Sequence, residues 1–478
     1  MSLEIQIAVI DSGLNEKLLD RKKIRNRFEV DENNDFIEER SMSKASDFLH
    51  GTICAIIIEK YCPDAVFNSI RILNQNGTGG VEKLEPALEW CCKNNIKIVN
   101  LSLGTTHFKE KDILKKLINR YTYKGLVFVA AISNIGYFTF PASFTNVIGV
   151  ANVESPLSYS KDYIHLGIDT VTISEHIIML ENKEHKTSPS NSYAAPYICA
   201  LIANKLSNDK TLDIVKLKRY AKEQSHIEMT VDSYEPDWIY RAYISGRGTL
   251  SRAEYYFETV TGVYDEIQGK IDTVIAYSMA ELENLDISNK NLIYLGNEDI
   301  HNIDVQGFIW SKETRQRQIK HNHYQENGLE VPVVILAVED VIDKFYILTE
   351  LKRAFANGGY NAYTIGMEPE CVLYALEYMP EPVSDIDAWK NFIESQTFYK
   401  QSDLVIWCVL VEEQDKYLKV YPDCDVQISL CNEGDINIVR FSFDGEKIEK
   451  KISGLIDRKD VEEIYHIIEA KLTEEEDG

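Results

Sequence analysis

The sequence predicts an α/β chain with mainly parallel sheets layered between helices, and three observations predict it. Short β-branched runs at Ile5–Ile10, Val127–Ala131 and Val333–Val338 are apolar throughout, as strands buried on both faces must be. Longer apolar or amphipathic runs over residues 51–58, 197–203 and 345–356 read as helices. Their alternation implies a three-layer arrangement.

Composition sets the outer limits. A chain of 478 residues should hold two or three domains, and 44% hydrophobic with 27% charged residues are globular values. Lys and Arg number 51 against 76 Asp and Glu, a net charge of −25. That balance argues against nucleic acid and anionic membranes as partners. No apolar run reaches the length of a membrane span. Asp11, the first chemistry-bearing residue, stands ten positions after Met1, with no room before it for a signal peptide or pro-segment. Together with nine cysteines, of which Cys54, Cys91, Cys92 and Cys199 lie in apolar helical stretches, this predicts a cytoplasmic protein. The Cys91-Cys92 pair has no metal spacing, so neither metal nor cofactor is expected.

The first strand ends at Asp11-Ser12-Gly13, where glycine permits a sharp turn and a carboxylate stands at the strand's carboxyl end. Alone, Asp11 reads as a turn or cap residue. His50-Gly51-Thr52 opens the apolar helical run, and the glycine lets another backbone pass close by. Arg71–Gly79 carries Gly77, Thr78 and Gly79, and the strand from Ile98 ends in Ser102-Leu103-Gly104. Val127–Ala131 leads into Ile132-Ser133-Asn134-Ile135-Gly136. Ser190-Asn191-Ser192-Tyr193-Ala194-Ala195-Pro196 opens the next buried helix. A serine there sits beside unpaired N–H groups at the positive end of the helix dipole, which favours a developing oxyanion. Residues 206–225 read as a closing helix.

Asp, His and Ser in that chain order, each in this context, resemble the subtilisin-like serine peptidases (subtilases) over residues 1–205. His50-Gly51-Thr52 matches the family's H-G-T, and residues 190–196 follow its G-T-S-M-A-x-P, with Ser190, Asn191 and Tyr193 departing. Asn134 and Gly136 match the family's A-A-G-N-x-G, with Ser133 replacing a glycine. The resemblance implies that Ser192 is the nucleophile, His50 the general base, Asp11 its orienting carboxylate and Asn134 an oxyanion donor. It also implies that Ser102, Leu103 and Gly104 wall the primary specificity pocket. Gly77, Thr78 and Gly79 would border upstream subsites, so that an extended peptide binds as an added strand. A catalytically inactive scaffold, motivated by the three departures, is the alternative.

The remaining chain divides into 226–330, an intermediate α/β region or linker, and 331–478, a C-terminal α/β domain. Within 226–330, Ile271–Tyr277 and Asn291–Gly296 read as strands around a helix at 279–283. Ser311–Gly328, with Arg315, Arg317, Lys320, His321 and His323, reads as a linker or a solvated helix. The segment from Val338 to Phe345 overlays a phosphate-binding loop that keeps Lys344 but has lost its glycines and hydroxyl, hence a degenerate P-loop-like fold without nucleotide. The C-terminal half also resembles an accessory protein of bacterial ribosomal-peptide maturation. That resemblance implies that it binds a leader peptide or docks a peptide-modifying enzyme.

Overall fold

The structure is a computed structural model. It describes residues 4–38, 49–154, 166–228, 234–246, 251–301, 303–322, 329–381, 386–422, 424–443 and 445–474. The chain forms two compact units, Met1–Tyr240 with Gln306–Phe308, and Arg241–Val305 with Ile309–Gly478.

Among the described residues, the first unit is built on eight strands: β1 (Ile5–Asp11), β2 (Ile24–Val30), β3 (Phe36–Glu38), β4 (Ala65–Arg71), β5 (Ile98–Leu101), β6 (Val127–Ala131), β7 (Val147–Asn152) and β8 (Thr170–Thr172). Their order is β3-β2-β4-β1-β5-β6-β7-β8. Every pairing is parallel except β2 with β3. Parallel neighbours need crossovers, and α1 (Leu49–Tyr61), α2 (Leu84–Lys93) and α3 (Phe108–Tyr123) supply them. A hairpin of β9 (Ile177–Leu180) and β10 (Lys183–Lys186) precedes α4 (Asn191–Asn208) and α5 (Ile214–Glu223). The core joins Ile7 and Val9 of β1, Ile53–Ile58 of α1 and Ala194–Ala203 of α4. Cys199 is fully buried in it, and Cys54 is fully buried on α1, as their apolar neighbours predict.

Because the strands run parallel, their carboxyl ends share one edge. The turn after β1, the loops after β4, β5 and β6, and the amino end of α4 are the segments in which the sequence places its candidate residues. The closing helix α5 is tied to the sheet by Lys218, whose ammonium reaches Asp169 Oδ2 at 2.6 Å and the Val147 carbonyl. Both side chains of that ion pair are buried.

Among the described residues, the second unit carries two sheets. In the first, β11 (Arg241–Ile244), β12 (Glu258–Thr259), β13 (Thr273–Ala276), β14 (Asn291–Tyr294) and β15 (Ile309–Ser311) are all parallel, in the order β12-β11-β13-β14-β15. Short helices α6 (Tyr264–Ile267) and α7 (Met279–Leu282) lie between its strands, and α8 (Lys312–Lys320) follows β15. The second sheet contains β16 (Val333–Val338), β17 (Ala362–Gly366), β18 (Glu377–Tyr378), β19 (Leu404–Leu410), β20 (Val426–Glu433), β21 (Ile436–Phe443) and β22 (Glu446–Ser453). Its order is β18-β17-β19-β16-β20-β21-β22, parallel through β20 and antiparallel beyond. Helices α9 (Lys344–Gly358), α10 (Ile386–Tyr399), α11 (Gln414–Leu418) and α12 (Arg458–Glu474) complete it.

Two expectations change. The first unit runs to Tyr240 rather than 225, and 226–330 is not a body of its own. The polar segment that suggested a boundary at 330 is half structural. In α8, Thr314, Arg315 and Gln318 are buried, and Arg315 reaches Glu377 of β18 at 3.5 Å. Trp310 meets Tyr378 edge to face at 5.9 Å, so the two sheets belong together. His323 lies outside the described residues. At the loop after β16, Asp343 caps α9 by accepting from Tyr346 N at 3.1 Å, and Lys344 pairs with Glu368 and Asp340. The helix end and the lysine that a phosphate would use are therefore held by carboxylates.

Candidate active site

Asp11 closes β1 with its side chain fully buried, and both of its oxygens face His50 Nδ1, at 2.9 and 3.0 Å. The Oδ1 atom also accepts from Ser12 N at 2.6 Å. A carboxylate only accepts, so Nδ1 of His50 carries the proton and Nε2 is left as the basic nitrogen. His50 is more than one third exposed, on the first turn of α1. Burial opposes protonation of its ring, but the hydrogen bond and charge of Asp11 outweigh it and raise the pKa above the ordinary histidine value.

Gly51 permits this approach. A Cβ there would lie 2.7 Å from the Gly13 carbonyl oxygen and 3.2 Å from Asp11 Cβ. The glycine beside His50 thus does what its sequence position predicts. Thr52 Oγ1 accepts from Asn15 N at 2.9 Å, so the whole H-G-T segment clamps the turn after β1.

Ser192 is half-buried on the first turn of α4. The turn is fastened to α1 through Cys54, one helical turn beyond His50, whose Sγ stands 3.6 Å from the Ser192 carbonyl and 3.4 Å from Ser102 Oγ. Pro196 explains the first contact. It has no N–H to give the carbonyl four residues back, so that acceptor is open to the thiol. Burial first, and the charge of Asp11 second, push the Cys54 thiol well above its usual pKa, so it remains an S–H donor. The Tyr193 ring lies 5.7 Å from the His50 ring. Among the described residues nothing hydrogen-bonds the Ser192 hydroxyl. Asp11, His50 and Cys54 bring one ligand atom each within 4.8 Å of one another. The first two are engaged with each other and the third holds its proton, so the donor set suits proton transfer rather than a cation.

Several residues that support this turn are missed by sequence reading. His176 is buried, and its Nε2 lies 3.1 Å from the Tyr193 carbonyl while Nδ1 lies 3.0 Å from Tyr61 Oη. The carbonyl can only accept, so Nε2 is the protonated nitrogen and Nδ1 accepts from Tyr61. Burial, partly opposed by that Tyr193 contact, lowers the ring's pKa and keeps it neutral. Asn191 is fully buried: its Oδ1 accepts from Asn152 N and Nδ2 at 2.7 and 2.8 Å, and its Nδ2 donates to the Ser133 carbonyl at 2.9 Å. The Asn191 N–H in turn donates to Asn134 Oδ1 at 3.0 Å, which leaves the Nδ2 amide of the exposed Asn134 as its donor. Of these, only the departure of Asn191 from the expected motif was a signal in the sequence.

The remaining candidates flank this centre. Ser102 is buried and accepts from Asn100 Nδ2 at 3.0 Å, whereas Leu103 is half-buried and Gly104 exposed. A Cβ on Gly104 would stand 2.7 Å from Thr139 Cγ2. Thr105 bridges to Phe140 in antiparallel fashion, which fixes this segment next to the loop after β6. Gly77, Thr78 and Gly79 lie in an exposed turn. Asn74 Oδ1 accepts there from Asn76 N, Thr78 N and Thr78 Oγ1, so the turn meets its own polar needs. Its base is joined to the site, since Ile72 N donates to the Asp11 carbonyl at 3.0 Å.

Comparison with known proteins decides the family: residues 3–249, more than half of the 478-residue chain, match the subtilase family. This chain is a subtilase. It is 27% identical over 231 residues to the minor extracellular protease Epr of Bacillus subtilis (strain 168), an alignment covering 45% of this chain and 34% of Epr. It is 32% identical over 110 residues to a thermostable alkaline protease of Halalkalibacterium halodurans, covering 22% of this chain and 30% of that one. The subtilase thus spans about a third of the length of either relative. Among solved structures, Sphericase is similar over 46% of this chain and 83% of its own, at 20% identity and a TM-score of 0.39. No helix of the described residues is long and apolar enough to cross a membrane.

Proposed function

We propose that this subtilase is a serine endopeptidase that acts in the cytoplasm on a dedicated peptide or protein. The Asp11–His50 pair carries the reading, since it fixes a basic Nε2 beside the helix turn that presents Ser192. Ser192 Oγ attacks the substrate carbonyl and its proton passes to His50 Nε2. Asp11 holds the ring's tautomer and stabilises its charged form. The developing oxyanion takes hydrogen bonds from Asn134 Nδ2 and the Ser192 N–H. His50 then protonates the leaving amine, and water, activated by the same histidine, cleaves the acyl ester. The segments 102–104 and 77–79 flank an extended peptide. Buried Cys54, Cys62, Cys91 and Cys199 suit a reducing compartment. The second unit is the candidate recruiter of a leader peptide or of a peptide-modifying enzyme.

Two of the three departures that motivate an inactive scaffold are accommodated: Ser190 caps α4 and the Asn191 amide is satisfied. The test is fluorophosphonate labelling of the full chain with an intact-mass readout. One adduct on the wild type and none on Ser192→Ala is expected. An unlabelled, folded wild type would leave only the scaffold reading.

A further inference from the structure

Ser190 stands where the family motif has glycine, and its side chain is not idle. It is the N-cap of α4, with extended backbone angles of −163° and 139°, and its Oγ accepts from Ser192 N at 3.3 Å. That N–H is the main-chain donor that the proposed mechanism assigns to the oxyanion. The backbone on either side is anchored, because Ser190 N donates to Ser174 Oγ at 3.2 Å and Tyr193 N donates to the Ser190 carbonyl at 3.0 Å. Asn134, the second donor, is already oriented, since its Oδ1 accepts from Asn191 N. One half of the oxyanion site is thus preset and the other half is engaged by a neighbouring hydroxyl.

We infer that Ser190 is a built-in competitor for the oxyanion: each acylation must displace its hydroxyl from the Ser192 N–H before that donor can serve the transition state. This rests on the peptidase reading above. An interaction that is stronger in the ground state than in the transition state raises the barrier without aiding substrate binding. The hydroxyl therefore restrains kcat while leaving KM nearly unchanged. A glycine in its place removes the competitor, and glycine is tolerated at an N-cap at little cost to the helix.

The experiment compares wild type, Ser190→Gly, Ser190→Thr and Ser192→Ala as full chains. It reads the second-order rate of fluorophosphonate acylation, the kcat and KM of a peptide substrate, and the melting temperature. Ser190→Gly is expected to acylate roughly twofold faster, the factor that matches the small cap advantage of serine over glycine, with KM and melting temperature nearly held. Ser190→Thr keeps the hydroxyl and should stay near wild type. An unchanged or slower Ser190→Gly beside a labelled wild type overturns the inference alone. A slower variant would mean that the hydroxyl donates to the oxyanion instead. If neither protein is labelled while both are folded, the peptidase reading falls and the inference with it.

Discussion

His50 Nδ1 faces both carboxylate oxygens of Asp11, at 2.9 and 3.0 Å, across 39 residues of chain. The contact joins the end of a buried strand to the first turn of a helix and sets both the tautomer and the basicity of the ring. Its consequences are measurable.

Asp11→Asn should lower kcat by about 10⁴, because an amide can hold the wrong tautomer of the ring. The raised pKa of His50 places the acid limb of wild-type activity above pH 6.5, the ordinary histidine value. In Asp11→Asn the limb moves down, since burial remains and the charge is gone. The sign for stability follows. The pair's contribution is complete below the unfolded value of 6.5 and is lost as pH rises through the higher folded value. A limb that stays in place, read from kcat against pH, would remove Asp11 from this role.

Gly51→Ala should cost about 1–3 kcal/mol, as overpacking does, and most of the activity with it. The added Cβ meets a backbone oxygen at 2.7 Å and the Asp11 side chain at 3.2 Å, so relief requires α1 to move away from β1. Urea unfolding together with acylation rates checks both effects.

Asn134→Ala should lower kcat by about 10²–10³ with little change in KM, the signature of a donor used mainly in the transition state. Steady-state kinetics on a peptide substrate distinguish this from a loss of binding.

Lys218→Ala should destabilise the first unit by about 3–5 kcal/mol, because it strands the buried Asp169 carboxylate with Gly149 N, at 3.0 Å, as its one remaining donor among the described residues. The double variant Lys218→Met with Asp169→Leu should lose much less, since no buried charge is then left alone. Denaturant titration of the two variants decides it.

Periodicity and motif carried much of this molecule. The strand at Val333–Val338 has the predicted bounds, and Gly359 ends α9 in the left-handed region at a φ of 104°. Those features depend on residues near one another in sequence, where burial pattern and backbone freedom are legible. Arg315 was not legible. A cationic helix face reads as solvated until a carboxylate from another element, Glu377, is brought to it.

The sequence by itself determined that a parallel sheet would carry Asp11, His50 and Ser192 at helix and strand ends, because apolar runs, glycines and a chain-order motif are local quantities. Only the tertiary structure decided what holds those ends. The thiol of Cys54 under the Ser192 carbonyl, the His176 ring between Tyr61 and Tyr193, and the Ser190 hydroxyl on the Ser192 N–H are the groups that do so. A hydrogen bond requires two groups at a given distance and angle, and chain topology, not composition, brings them there.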